Sequence, residues 1–220
     1  MRPSYYENKL YPLQDLVLRA VENAETDFYL TGGTALSRVW LHHRYSDDLD
    51  FFQNRSQSFA EDASKLFAVL NKTFDNKVDR LIDTADFHRW VLTENDINLK
   101  IELINDIEYR RGKPEKTELF FKTDNVLNIL SNKISALNRN EPKDIADIIY
   151  IDEHFSFLWP EMIEDAKQKD LSVNEIEIAD AVGNYDVSQL DRVRWIQQPN
   201  EDWCKQKLKD IARRIVKREA

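Results

Sequence analysis

The hydrophobic spacing of this 220-residue chain mixes strand alternation with helical periods up to about Asp106 and is almost wholly helical, at about 3.6 residues, beyond Asp124, and the change limits the folds open to it. Ile97-Asn98-Leu99-Lys100-Ile101-Glu102-Leu103-Ile104 alternates as a half-buried strand does, and stretches at 77–82 and 87–93 carry strand signals as well. Phe28-Tyr29-Leu30 and Asp48-Leu49-Asp50-Phe51-Phe52 read as shorter strands, among helical patterns at about 12–25, 35–41 and 57–73. After Asp106 comes a basic turn, Arg110-Arg111-Gly112-Lys113-Pro114, and beyond Asp124 almost everything reads as helix: about 124–138, 142–155, 159–168, 173–182, 187–196 and 201–218. The expected organisation is an α/β half over 1–110 and a helical half over 111–220, with the break inside 106–122.

The charge balance narrows the partners. With 31 Lys+Arg against 40 Asp+Glu the formal charge is −9, which disfavours broad, nonspecific binding to a nucleic-acid backbone but leaves room for a local basic patch. One such patch lies in 203–220, where Lys205, Lys207, Lys209, Arg213, Arg214, Lys217 and Arg218 face only Asp210 and Glu219. Lys205, Lys209, Arg213 and Lys217 form one stripe at helical spacing, open to three readings: a solvated face, a contact to RNA phosphate, or a dock for an acidic partner. Cys204 is the only cysteine, so neither an intrachain disulfide nor a zinc ribbon is available and a reducing compartment is expected. No stretch approaches the ~20 apolar residues of a membrane span, and Met1-Arg2-Pro3-Ser4-Tyr5-Tyr6-Glu7 lacks the apolar run of a leader; the expected location is the cytoplasm.

Chemistry concentrates where glycine does. Only four glycines occur, and two of them, Gly32 and Gly33, are adjacent at a strand-to-helix turn, where backbone N–H groups and the helix dipole favour a phosphate and Thr34 adds a hydroxyl. Downstream, Asp48 and Asp50 are two apart on a strand and point to one face; such a pair either faces solvent or takes a cation, Mg²⁺ above all, which bridges carboxylates to substrate phosphates. Glu102 is presented by a strand between buried neighbours, as a third acidic site residue or as the partner of Lys100. His42 and His43 are adjacent and do not share a helix face, which points to surface or packing roles rather than a transition-metal site.

The stretch Leu30-Thr31-Gly32-Gly33-Thr34-Ala35-Leu36, followed by His43-Arg44-Tyr45-Ser46-Asp47-Asp48-Leu49-Asp50-Phe51-Phe52, resembles the Gly-Gly/Ser and Asp-x-Asp motif of polymerase-β-type nucleotidyltransferases, and in its wording the AbiEii family of nucleotidyltransferase toxins, to which the MenT-type toxins are related. Lys133 to Arg139 and Lys143-Asp144-Ile145-Ala146-Asp147 resemble two further segments of that family, with Arg139 one residue short of the family spacing. The resemblance covers about residues 28–152 and implies a polymerase-β-like α/β nucleotidyltransferase core with a mixed sheet, a helical bundle-like half and α+β architecture overall. It implies Asp48 and Asp50 as Mg²⁺ ligands (Mn²⁺ as the alternative), Glu102, Lys133 and Asp144 as further catalytic residues, and Gly32, Gly33, Thr34, Ser46, Lys133, Arg139 and Asp147 as contacts to a nucleoside triphosphate. Read from the residues alone, Lys133 is equally a solvated helix lysine, Asp144 a dipole-favoured residue at a helix start, and Arg139 a partner of Asp144 or Asp147. The implied role is a toxin of a toxin–antitoxin or abortive-infection phage-defence pair, moving a nucleoside monophosphate to an acceptor hydroxyl, with the tRNA 3′ end as candidate acceptor and a cognate antitoxin as partner. An antibiotic-type or kinase-like transferase and a non-catalytic nucleotide-binding protein are the alternatives.

Overall fold

The computed structural model describes residues 3–219; Met1 and Arg2 of the stretch read for a leader, and Ala220 at the end of the basic segment, lie outside the described residues. The chain divides into two compact units, one of residues up to 40, 45–108 and 113–124, the other of 41–44, 109–112 and 125 onward. The path therefore crosses from one unit to the other at short segments on both sides of the expected break.

In the first unit a π-turn at Tyr6–Leu10 leads into α1 (Tyr11–Asn23), whose Pro12 sits in the first turn, where its missing N–H costs nothing. β1 (Tyr29–Thr31) is followed at once by α2 (Gly32–Ala35) and a π-helical segment, Leu36–Leu41. β2 (Leu49–Asn54), α3 (Phe59–Thr73), β3 (Val78–Asp83), β4 (Phe87–Glu94) and β5 (Ile97–Asp106) complete it. The strands form one mixed sheet in the order β1-β2-β5-β4-β3, in which only β2 and β5 run parallel. Alternation sorts the faces: Leu49, Phe51, Leu99, Ile101, Leu103, Trp90 and Leu92 are buried on one side. Rings of α3 close that side, Phe59 against His88 at 5.2 Å and Phe67 against Trp90 at 5.2 Å between centroids. β1 is covered on its outer edge, since Leu30 N–H donates to the Lys122 carbonyl (2.9 Å) and Asp124 N–H to the Leu30 carbonyl (2.8 Å).

The second unit is helical: α4 (Val126–Ser135), a 3₁₀ turn at Leu137–Arg139, α5 (Pro142–His154), α6 (Trp159–Lys169), α7 (Glu175–Gly183) and α8 (Glu201–Lys217). Asn125, Asn174 and Asn200 cap α4, α7 and α8 by accepting backbone N–H bonds in the first turn, and Pro142 and Pro160 start α5 and α6. α4 packs on α5 and α6, and α7 on α8, over a core that includes Ile129, Ile148, Trp159, Met162 and Ile211. The basic turn is anchored through Arg111, which pairs with Asp165 (2.6 Å) and Glu161 (2.7 Å). The helix expected over 187–196 is instead a 3₁₀ segment, Val187–Arg192. Asp186 caps it, and Val193 at its end turns extended, which lets Trp195 bridge to the backbone of Arg44. Among the described residues no helix is long and apolar enough to cross a membrane.

Candidate active site

The strand register assembles a site within the first unit. Thr31 is paired with Asp50, Asp50 with Glu102, and Glu102 with Arg89, so one lateral row across β1, β2, β5 and β4 carries the end of the glycine strand and two carboxylates. Residues in register on adjacent strands project from the same face, here the one opposite the buried Leu49, Ile101 and Trp90. Thr31 ends its strand by donating a hydrogen bond from Oγ1 to Asp124 Oδ2 at 2.7 Å, and the chain then turns through Gly32 at φ +67°. That conformation favours glycine, and so does the neighbour: a Cβ on Gly32 would collide with Asp50 Oδ2 and lie 3.1 Å from its Cγ. The Asp50 carboxylate therefore rests directly against the Gly-Gly bend.

Asp48 lies just before β2, in a loop that is tied down from below. The buried Thr34 Oγ1 hydrogen-bonds to the Asp48 carbonyl and lies 3.0 Å from Ser46 Oγ. Both hydroxyls are thus committed inside the fold, where they fix the backbone on which Asp48 is carried. Gln14, fully buried on α1, donates from Nε2 to the Ser46 and Asp47 carbonyls at 3.2 Å each, and Tyr6 donates to Asp47 Oδ1 at 2.9 Å.

The carboxylates have cationic company that motif reading missed in part. Lys100 Nζ is 2.8 Å from Asp48 Oδ2 and 3.4 Å from Glu102 Oε1, and Arg89 Nε donates to Glu102 Oε1 at 2.7 Å. Burial alone would lower the Lys100 pKa; the hydrogen bond to Asp48 and the charges of Asp48, Glu102 and Asp50 outweigh it and raise the value. Burial likewise pushes Glu102 up, but Lys100 and Arg89 hold it below the ordinary carboxylate value, so it is ionised at neutral pH. Glu102 pairs with Lys100, as one reading of the sequence has it, and is in register with Asp50. Among the described residues no group of three or more His, Cys, Asp or Glu side chains converges as a ready-made metal cage. Asp48, Asp50 and Glu102 are hard oxygen donors, and an ammonium already stands between two of them, which is the chemistry a divalent cation with few protein ligands requires.

The second unit holds a separate buried ion cluster. Asp147 on α5 is fully buried and accepts two bonds from Arg44, Nε at 2.6 Å and Nη2 at 2.8 Å, and one from His43 Nε2 at 2.8 Å. Lys133 on α4 pairs with Asp144 at 2.5 Å and with Asp147 at 2.8 Å. Burial would raise the Asp147 pKa, but the Arg44 and Lys133 charges keep it well below the usual range; burial would lower Lys133, but Asp147 and Asp144 raise it. His43 is the exception, because burial outweighs its bond to Asp147 and lowers its pKa, leaving the ring neutral. Two cations and two carboxylates then balance, as a buried network requires. Arg139 is exposed at the end of the 3₁₀ turn, and Asp144 and Asp147 take their partners elsewhere.

Sequence reasoning missed Gln14, Arg44, Arg89 and the depth of His43. A polar Gln14 on the apolar face of α1, in step with Val17, Leu18 and Val21, was the available signal for the first. Arg89 and the Arg44–Asp147 pair depend on strand register and tertiary packing.

A mixed sheet that seats a Gly-Gly bend against a strand carboxylate, followed by a helical unit, defines a nucleotidyltransferase-type architecture. The profile of the nucleotidyl transferase AbiEii toxin family, described as a type IV toxin–antitoxin system, matches residues 16–209, and the chain belongs to this family of nucleotidyltransferase enzymes. Several solved structures share the fold. JHP933 from Helicobacter pylori is 17% identical with a TM-score of 0.65, over 99% of this chain and 94% of that one. MenT4, the nucleotidyltransferase toxin Rv2826c from Mycobacterium tuberculosis H37Rv, is 11% identical with a TM-score of 0.61, over 100% of this chain and 87% of that one. No curated protein matches the chain in sequence.

Proposed function

We propose that this chain transfers a nucleoside monophosphate from a nucleoside triphosphate to a hydroxyl of RNA, the tRNA 3′ end being the acceptor, in a Mg²⁺-dependent reaction. The observation that carries the reading is the contact of the Asp50 carboxylate with the Gly32 bend, in one row with Glu102. Asp48 and Asp50 would hold Mg²⁺, with Mn²⁺ fitting the same oxygen donors, and the bound cation would supply polarisation of the reacting phosphate. The bend of Gly32 and Gly33 offers backbone N–H groups to the β- and γ-phosphates, close to where Asp50 is seated. Thr34 and Ser46 serve by holding the Asp48 backbone. Glu102, ionised and in the row of Asp50, accepts the proton of the attacking hydroxyl as the new O–P bond forms at the α-phosphate and pyrophosphate leaves. In the helical unit the family resemblance proposes Lys133, kept protonated by Asp144 and Asp147, and the exposed Arg139 as cations for phosphate charge.

The family and the toxin MenT4 among its structural relatives support a toxin role, here in a toxin–antitoxin pair that acts in phage defence in the cytoplasm, with a cognate antitoxin protein as partner. Incubation of the purified chain with each labelled triphosphate, Mg²⁺ and total RNA tests the reaction. Label in tRNA that disappears with Asp50→Ala is the expected result; label only in small molecules, or none in any RNA, overturns the acceptor assignment.

A further inference from the structure

The carboxylates of the candidate site do not wait for a metal uncompensated. Asp48 and Glu102 face Lys100, and Glu102 faces Arg89 as well. The two cations differ in freedom. Arg89 is bound to Glu102 through its Nε, at 2.7 Å, whereas Lys100 reaches between Asp48 and Glu102 with a compact ammonium on a flexible stem, its side chain one third exposed. Lys100 also sits two residues before Glu102 on β5, so strand alternation puts it on the face that carries Asp50 and Glu102.

We infer that Lys100 is the built-in counter-ion of the acidic set: it neutralises Asp48 and Glu102 in the metal-free chain and is released when a divalent cation arrives, its ammonium passing to the substrate phosphates. The inference rests on the nucleotidyl-transfer reading proposed above. Its consequence is an energetic coupling. A free cation takes the carboxylates but leaves the displaced ammonium without a partner, whereas a cation bound to a triphosphate brings oxyanions that take up the released lysine. The site thus selects the metal–triphosphate complex over the bare ion.

Mn²⁺ titration of the full chain, followed by electron paramagnetic resonance with and without a non-hydrolysable triphosphate, reads this directly. Lys100→Gln is expected to bind Mn²⁺ alone about tenfold more tightly than the wild type and to lose most of the gain in metal affinity that nucleotide confers. Lys100→Arg, which keeps the charge, is expected to stay within about twofold of wild type, and Lys100→Met, which keeps the stem, to behave as Lys100→Gln does; the Met variant serves if the Gln variant does not fold. Mn²⁺ affinity that is lost in Asp50→Asn but unmoved or weakened in Lys100→Gln overturns the inference alone. Mn²⁺ binding indifferent to Asp50→Asn overturns the metal site and the inference with it.

Discussion

Gly32 and Asp147 show how much single positions carry in this chain. At Gly32 a side chain meets two obstacles at once: φ of +67°, and the Asp50 carboxylate where Cβ would stand. Gly32→Ala is expected to cost about 1–2 kcal/mol from the backbone alone, and to displace Asp50, so that transfer activity falls further than stability does. Thermal unfolding beside a turnover assay separates the two, and an alanine variant with wild-type activity would refute the packing of Asp50 on the bend. Asp147 carries the opposite burden, because its loss leaves Arg44 and Lys133 buried with less negative charge. Asp147→Asn is expected to destabilise by about 3–5 kcal/mol in urea unfolding. The same cluster sets a pH dependence through His43, whose folded pKa lies below its ordinary value of 6.5 because burial penalises the charged ring. The unfolded chain then binds the proton that the folded chain refuses, so stability is full above pH 6.5 and falls as the pH drops from there towards the folded value. His43→Gln should flatten the stability curve between about pH 5 and 7; an unchanged slope would locate the titration elsewhere.

Among the elements, the close packing of α7 on α8 turns on one small residue. A Cβ on Gly183 would lie 2.9 Å from Ala212 Cβ, a rigid atom that cannot swing aside. Gly183→Ala should therefore destabilise by about 1–2 kcal/mol although alanine is the better helix former, and a chain stabilised by the change in denaturant titration would contradict this packing. Neither the contact nor its partner could be read from spacing, whereas the element itself could: Cys204, Leu208, Ile211 and Ile215 are buried at the helical interval that defines α8. The sheet was legible for the same reason, since the alternation of Ile97, Leu99, Ile101 and Leu103 survives folding unchanged. The segment 187–196 misled because an apolar spacing does not distinguish an α-helix from a 3₁₀ turn capped by Asp186. In the candidate site, the glycine pair and the acidic pair were visible because their chemistry is local. Lys100 was visible only as a neighbour of Glu102, and Arg44 and His43 were hidden because their partner Asp147 lies more than a hundred residues away.

For the molecule as a whole, a formal charge of −9 has to be reconciled with a triphosphate substrate and with the RNA acceptor proposed above. Long-range electrostatics oppose both encounters, so affinity for RNA must come from short-range contacts to exposed cations. On α8, Lys207 and Arg214 are drawn to Asp152, and Arg213 pairs with Asp210 and Glu219, which removes three of the basic residues counted in the sequence. Lys205, Lys209, Lys217 and, just past the helix, Arg218 are exposed and, among the described residues, carry no ion pair. Four such cations neutralise four phosphates at most, and each released counter-ion contributes about 0.7 to the salt slope of a single strand. The logarithm of RNA affinity should thus fall against the logarithm of salt concentration with a slope near −3, roughly a fiftyfold loss between 50 and 200 mM. Fluorescence anisotropy of a labelled acceptor-end RNA across that range measures it. Replacing Lys205 and Lys209 by Gln should halve the slope, to about −1.4, while leaving triphosphate binding unaltered, and a slope that those substitutions do not move would assign the RNA contact to another face.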